Sequence, residues 1–411
     1  MYNGAMIRGN QDMNPWQRVF LPFAVGYFFS YLLRNVNAVI SPELVREFGL
    51  DAAGLGFLTS AYLLAFGAFQ LPLGLLLDRF GPRRVEMLLL LVASAGCLLF
   101  AAGSSLAGLA AARALIGLGV SACLMASFKA FAQWFPAERI ASLNAAIMAA
   151  GGLGALAATA PLGWVLPWFG WRGVFVGIAV FGAAAALVIG TVPDRADEHD
   201  PETLAEQLRG LGEVLGSRDY WRFAPQTALV SGGFMAVQGL WAVPWLMHVN
   251  GYPRQTAAYH LLLSSAAMLA GFVFVATQVA RLKRIGIPPE RLFAAGLGAG
   301  LGVTALIVLD AAPTELLWFA LGLVFSVSNL AYALLSTRFP ARLAGRSNTA
   351  LNLAAFAGAF AIQWAFGAAV DGFAAAGLTT RDAYRGSLAL LLALQAASYV
   401  WWRRAAVPRA R

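Results

Sequence analysis

The chain has 411 residues, of which 60% are hydrophobic and 12% charged, with a formal net charge of +9. An ordinary soluble domain carries about 25% charged residues, so no water-solvated core fits this composition. The positive charge is spread over short segments beside apolar runs, which suits lipid headgroups and excludes a nucleic-acid partner.

Apolar stretches of roughly 20 residues recur along the chain, each long enough to cross a hydrocarbon core of about 30 Å as a helix. They predict twelve spans, at about 16–40, 53–76, 85–103, 107–132, 139–163, 171–191, 222–247, 256–280, 290–310, 314–336, 348–372 and 384–402. The expected fold class is an all-α polytopic membrane protein. It divides into a six-helix bundle over 1–192, a cytoplasmic central loop with an amphipathic helix over 193–220, and a second six-helix bundle over 221–411. The polar leader from Met1 to Gln17 and the length of the first span argue against a cleaved signal peptide.

In the first span Tyr27, Tyr31 and Arg34 succeed each other by four and three residues and so share one helix face. A charged side chain at mid-bilayer costs at least ~2.5–3.5 kcal/mol on insertion scales, which makes Arg34 a functional candidate. A structural cation bonded to helix-end carbonyls is its bland alternative.

Between the second and third spans runs Gly74-Leu75-Leu76-Leu77-Asp78-Arg79-Phe80-Gly81-Pro82-Arg83-Arg84. Gly74 permits close helix approach, Gly81 a tight turn, and the arginines hold the loop at the cytoplasmic surface. The fourth span carries Arg113, with Gly117 and Gly119 after it, and Lys129 near its inward end, where a long side chain snorkels to the headgroups. Cys97 and Cys123 read as small packing residues.

The membrane pattern stops at Val192 and resumes after Tyr220. Within that gap Leu204, Leu208, Leu211 and Leu215 recur at helical spacing, as in a helix on a membrane surface. Phe135-Pro136-Ala137 recurs as Phe339-Pro340-Ala341, and Asn144 as Asn348, at one common offset. A duplicated six-helix unit explains both.

In the second half, Gln238 and Trp241 of the seventh span and Asn329 of the tenth are candidates for a wall facing Arg34; helix packing is the alternative. Tyr332, Gln363 and Trp364 are weaker candidates of the same kind. His248 and His260 lie near outward ends of spans. They titrate in the range where a proton relay works, or, with Met235, Met247 and Met268, make a soft-metal path, or simply hydrogen-bond at the interface. Glu86, Asp310 and Asp371 fall near predicted span ends, so no acid is expected well inside a span. Arg34 and Arg113 are then left without an internal counter-charge, and a solute bringing its own negative charge supplies one. The planar guanidinium suits carboxylate or phosphate.

Arginine and lysine set orientation. Facing outward are Arg46, Arg172, Arg254, Arg381 and Arg385. Arg34, Arg113 and Lys129 lie in spans, and the remaining basic residues, Arg8, Arg195, Arg342, Arg409 and Arg411 among them, fall on inward segments and at both termini, which are expected to be cytoplasmic. The preference for Arg over Lys suggests a GC-rich bacterium and its inner membrane.

The loop from Gly74 to Arg84 resembles the signature loop of the major facilitator superfamily, and Arg113 with Gly117 resembles a second motif of that superfamily. The resemblance implies two pseudo-symmetric six-helix bundles that rock about a central solute. It also implies a conformational latch built from Gly74, Asp78, Arg79, Gly81 and Arg83, with Asp78 near a helix end of the other half. The segment Tyr31-Leu32-Leu33-Arg34-Asn35-Val36-Asn37 resembles the organic-anion and phosphate-ester branch, which implies that Arg34 and Arg113 hold the anionic group. Leu33 and Val120 stand where that branch carries its proton-carrying acids. Ala160-Pro161-Leu162-Gly163 departs from the pattern of drug/proton antiporters.

Residues and resemblance together predict a monomeric secondary transporter of a small organic anion, with a proton as candidate coupling ion and no cofactor, catalytic group or structural metal. A drug exporter, a nitrate porter, a copper importer and a transporter-like solute sensor are the alternatives. An intramembrane enzyme needs convergent acids, an activated nucleophile or a metal-ligand cluster within the spans, and the sequence offers none.

Overall fold

A computed structural model describes residues 15–193, 203–311 and 313–405. Arg8, Arg195, Arg409 and Arg411, the acidic run 194–200 and the side chains of Asp78 and Arg342 lie outside the described part.

Every described element is helical. Among the described residues ten segments are long and apolar enough to cross a membrane. The first is Trp16–Phe48. The second and third are hydrogen-bonded as one element, Ala52–Ala102, but Gly81 interrupts it with φ 78° and ψ 160°. That is a left-handed conformation that costs glycine little and any other residue much, so the chain reverses there and leaves two rods, 52–80 and 82–102.

The fourth helix, Leu106–Trp134, is broken between Gly119 and Cys123. The fifth begins as Ala137–Ala157 and continues to the second glycine turn, Gly170 (φ 62°, ψ 170°), inside Ala160–Gly190. The sixth is the remainder, 171–190. The second half supplies Arg218–His248, Arg254–Arg284, Pro289–Leu309, Thr314–Ser336, Ala341–Ala375 and Thr380–Arg404. The twelve rods thus run in the expected order. The fifth and twelfth are less apolar: Ala146–Ala157 is the short apolar part of the fifth, and Ser387, Gln395 and Ser398 lace the twelfth.

Polar residues start the helices by accepting from otherwise orphaned amides. Asp51 accepts from Gly54 at 2.7 Å, Ser105 from Gly108 at 3.2 Å and Ser217 from Tyr220 at 3.0 Å. Small residues then set how close the helices come. A Cβ at Gly117 would lie 2.1 Å from the carbonyl oxygen of Tyr62, and one at Gly154 2.1 Å from that of Phe28, so the fourth and fifth helices touch the backbone of the second and first. In lipid, such contact replaces the hydrophobic driving force that water would supply. Large apolar side chains such as Trp168, Phe169, Val180 and Leu187 face outward instead, as a hydrocarbon solvent allows.

Between the halves lies a helix, Leu204–Leu215, closed at its start by a capping box of Thr203 and Glu206. The Thr203 amide and hydroxyl hold the Glu206 carboxyl below the ordinary carboxylate range. Val214 is fully buried, with Leu211 and Leu215 packed around it, against Tyr220, Phe223, Phe293 and Leu343. Leu208 remains exposed. The helix therefore docks on the second half, a packing that the leucine spacing alone did not indicate.

The basic residues expected to face outward gather with acids at one end of the bundle. Arg172 pairs with Glu47 at 2.5 Å, Arg254 with Glu43 and Arg381 with Asp310 at 3.2 Å. This arginine-poor end is closed by bonds between the halves. Asp371 accepts from the amides of Ala52 at 3.2 Å and Ala53 at 2.7 Å, capping the second helix from across the interface. Below it Gln363 donates to Thr59 at 2.5 Å. Within the second half, the Trp241 indole donates to the Gln363 carbonyl at 3.0 Å and stacks on Phe366 at 5.0 Å, bracing that closure.

Candidate functional site

Beneath that closure lies a cavity of about 330 Å³ between the two halves, near the lower limit of the roughly 300–1,000 Å³ usual for small-molecule sites. Three of its walls are irregular helices. The break in the fourth presents Val120 and Ser121 to the space, where Gln70 donates to the Ser121 carbonyl at 3.0 Å and Ser30 to that of Val120 at 3.4 Å.

The seventh helix is π-helical over Thr227–Ser231 and Val237–Trp241, and the tenth tightens to a 3-10 turn at Ser326–Asn329. Such departures free backbone groups and re-aim side chains. They occur inside membranes where backbone is covered by protein or lines a cavity. The hydroxyl of Ser231 and the amide oxygen of Asn348, both at the cavity, have no hydrogen-bond partner.

Tyr27, Tyr31 and Arg34 all line this space, as do Gln238 and Asn329. Tyr27 and Tyr31 meet edge to face at 5.0 Å, and the Arg34 guanidinium lies over Tyr31 at 4.6 Å, Phe66 at 5.1 Å and Phe356 at 5.3 Å. Phe66 and Phe356, from opposite halves, stack at 4.3 Å. The rings hold the cation by its faces and leave Nε without a hydrogen-bond partner. Among the described residues Arg34 is the one charged residue in the lining, and no Asp or Glu accompanies it there. Gln238 donates to Ser265 at 3.0 Å. Tyr332, which donates to Asn352 at 3.2 Å, and Gln70, Ser121, Asn348 and Asn352 complete the polar part of the wall.

Two expected substrate contacts lie elsewhere. Arg113 is buried in the first half, outside the cavity lining. Its two terminal nitrogens donate to the Leu33 carbonyl at 3.4 and 3.5 Å. With the Asn37 amide turned so that its oxygen faces the guanidinium, that oxygen accepts from Nε and Nη2, each at 3.2 Å. Tyr62 lies under the guanidinium at 5.0 Å. Arg113 thus holds the first helix one residue before Arg34, and the carbonyl-bonded cation foreseen as the bland reading of Arg34 is found at Arg113. Trp241 belongs to the closure above the cavity.

The histidines are likewise remote. His248 stacks on Tyr384 at 5.3 Å. His260 bonds the Thr256 carbonyl through Nδ1 at 2.7 Å and faces Glu315 through Nε2 at 3.3 Å. Among the described residues no three His, Cys, Asp or Glu cluster as metal ligands.

Of the signature loop, Gly81 makes the turn and Gly74 lies two helical turns before it on the second helix. Arg79 is exposed beside Phe80, and Arg83 donates to the Val192 carbonyl at 3.1 Å. Glu86 does lie near the start of its span, but it is completely buried, which its place along the sequence did not indicate. The third helix starts at once after Gly81 and is clasped there by the first, fourth and sixth helices, so five residues past the turn are already interior.

The family profile of the Major Facilitator Superfamily matches residues 23–404. An Escherichia coli (strain K12) protein named "Probable L-galactonate transporter" is 28% identical over 262 residues, 60% of this chain and 55% of the relative. "Probable galactarate/D-glucarate transporter GudP" of Bacillus subtilis (strain 168) is 30% identical over 186 residues, 44% of this chain and 41% of the relative. The matches thus span about half the length of these relatives. The solved D-xylose-proton symporter has the same fold at a TM-score of 0.76 and 16% identity, covering 95% of this chain and 97% of that one. A bacterial homolog of the human lysosomal transporter Spinster, inward-facing and unoccupied, gives 0.74 at 16% identity, covering 96% and 97%. With a profile match over nearly its whole length, a cavity between two helical halves and the fold of known carriers, the chain belongs to the Major Facilitator Superfamily.

Proposed function

We propose that the protein is a secondary transporter that carries a small organic anion by alternating access, with Arg34 as the anchor for the acidic group. The observation that carries this reading is the Arg34 guanidinium, held by three rings in a cavity whose described lining has no carboxylate. An unpaired cation in lipid is costly, and an incoming anion removes that cost. A single cation favours one acidic group. The amides and hydroxyls of Gln70, Gln238, Asn329, Asn348 and Asn352 with Tyr332 suit a hydroxylated body, and the aromatic rings suit its C–H faces. An aldonate such as the L-galactonate named for one relative has this chemistry, one carboxylate on a hydroxylated chain.

The arginine-rich end faces the cytoplasm of a bacterial inner membrane, with both termini on that side. The closed, arginine-poor end then faces outward, so the structure corresponds to an inward-facing or occluded state. Closing and opening alternate between the ends as one half rocks on the other, with the Gly81 loop as the latch on the inner side. A single chain suffices, because its own two halves enclose the cavity.

The test is uptake by purified protein in liposomes of a hexuronate and an aldonate against the neutral parent hexose. Saturable uptake of an acid but not of the hexose supports the reading. Binding without flux would make the protein a sensor, and uptake of the neutral sugar alone would remove the anion from the proposal.

A further inference from the structure

Glu86 is fully buried, and neither carboxyl oxygen has a hydrogen-bond partner of ordinary geometry. The space around it is tailored. A Cβ at Gly26 on the first helix would lie 2.2 Å from Oε1, so only glycine leaves room for the acid. The sixth helix contributes Ile189, which is apolar, and the fourth contributes the thiol of Cys123, a weak donor. On its own helix Arg83 turns away to the Val192 carbonyl. Tyr27, the titratable residue next to Gly26, points its hydroxyl to Met148 at 3.7 Å, and Arg34 lies two helical turns further on among its aromatic rings. Among the described residues no cation offsets a charge at Glu86, and a carboxyl so placed is stable only as the neutral acid.

The residues that touch this acid are sequence neighbours of residues that line the cavity. Cys123 begins the lower part of the broken fourth helix, and its neighbours Ser121 and Leu124 line the cavity, as Tyr27 does beside Gly26. The break at 120–122 is therefore the element whose shift would bring water to Glu86.

We propose that Glu86 is the proton-carrying group of the transport cycle. In the present state it is closed off and protonated. When the fourth helix shifts, water reaches the carboxyl, the O–H bond breaks and the proton leaves to that side. The carboxylate must take up a proton from water on the other side before the wall can close again. One proton then travels with one monoanion, and the cycle moves no net charge. The proposal rests on the anion-carrier reading, and measuring exchange apart from accumulation separates the two.

Wild type and Glu86→Gln are compared in liposomes holding a pH-reporting dye, with a hexuronate or aldonate as probe. Glutamine mimics the neutral acid in shape. In wild type a one-unit pH gradient should drive about tenfold accumulation with matching proton uptake, since each pH unit is a tenfold ratio in proton activity. In Glu86→Gln, exchange of labelled for unlabelled probe should persist while gradient-driven accumulation and dye response disappear. Gradient-driven accumulation that survives the substitution overturns the proposal. No exchange by wild type overturns the anion reading instead. If Glu86→Gln does not fold, the infrared carbonyl band of wild type decides. A neutral-acid band persisting far above the ordinary carboxylate range supports the assignment, and its absence there sinks it.

Discussion

In the first half the membrane interior contains Arg34, Glu86 and Arg113, whereas the six helices of the second half carry no Asp, Glu, Lys or Arg away from their ends. Both halves press helices backbone to backbone, at Gly117 and Gly154 in the first and at Gly322 and Gly358 in the second, but the first adds a buried cationic tie, Arg113, from the fourth helix to the first. The second half lines the cavity with amides and hydroxyls on helices that deviate into π and 3-10 turns. Fixed charge demands a rigid frame, because each ångström of slack in a low-dielectric site changes the energy of an ion far more than that of an amide. Neutral donors and acceptors tolerate a wall that adjusts. The contrast assigns anchoring to one half and recognition of the rest of the solute to the other.

Four substitutions probe this contrast, in order of expected effect. Arg34→Ala should lower kcat/KM for anion uptake at least about thirtyfold, as for truncating one partner of a buried charge pair. Its melting temperature should stay near that of wild type, and undiminished uptake would remove the anchor. Arg113→Ala should act on the frame. It leaves the Asn37 amide and Tyr62 ring without their cation and should destabilise by about 1–3 kcal/mol, read as a lower melting temperature in detergent. A variant as stable as wild type but unable to bind would return Arg113 to the site.

Asp371→Asn weakens the cap that closes the arginine-poor end. At about 0.3–1 kcal/mol for a charge at a helix start, the open form should rise roughly two- to fivefold. Labelling of a Leu55→Cys probe, in a background lacking Cys97 and Cys123, by a membrane-impermeant maleimide would report it. Unchanged labelling would mean the closure does not depend on that carboxylate. Gln238→Ala should raise KM only about two- to tenfold, the range of one ordinary hydrogen bond. It should do so more for a hydroxylated acid than for one without hydroxyls, and an equal effect on both would deny the second half its role in recognition.

The rods were legible in the sequence because hydrocarbon demands long apolar runs, and the turn at Gly81 because glycine before proline and arginines has few other uses. The face shared by Tyr27, Tyr31 and Arg34 came from helical spacing. Other parts of the site depend on what crosses between helices. Arg113 and Arg34 are both arginines in apolar runs, and only the Leu33 carbonyl and Asn37 amide within reach of one of them tell them apart. Glu86 sits near the start of its helix, and depth along a helix says nothing of lateral cover by Gly26 and Ile189. Asn348 carried a signal, since it repeats Asn144 in the second copy, but repetition marked it as structural kinship and not as part of a wall. The π-helical turns at 227–231 and 237–241 leave no trace in hydropathy.

At the closed end, a Cβ added to Gly367 would lie 2.2 Å from the Ala52 carbonyl oxygen, and one at Gly56 would lie 2.6 Å from that of Gln363. Shut, the two halves meet there main chain against main chain, with no side chain to yield. A valine at either position is therefore a wedge. It would leave the far end and the solute pocket intact while making the present form unreachable, and so offers a way to trap the opposite state for structure determination.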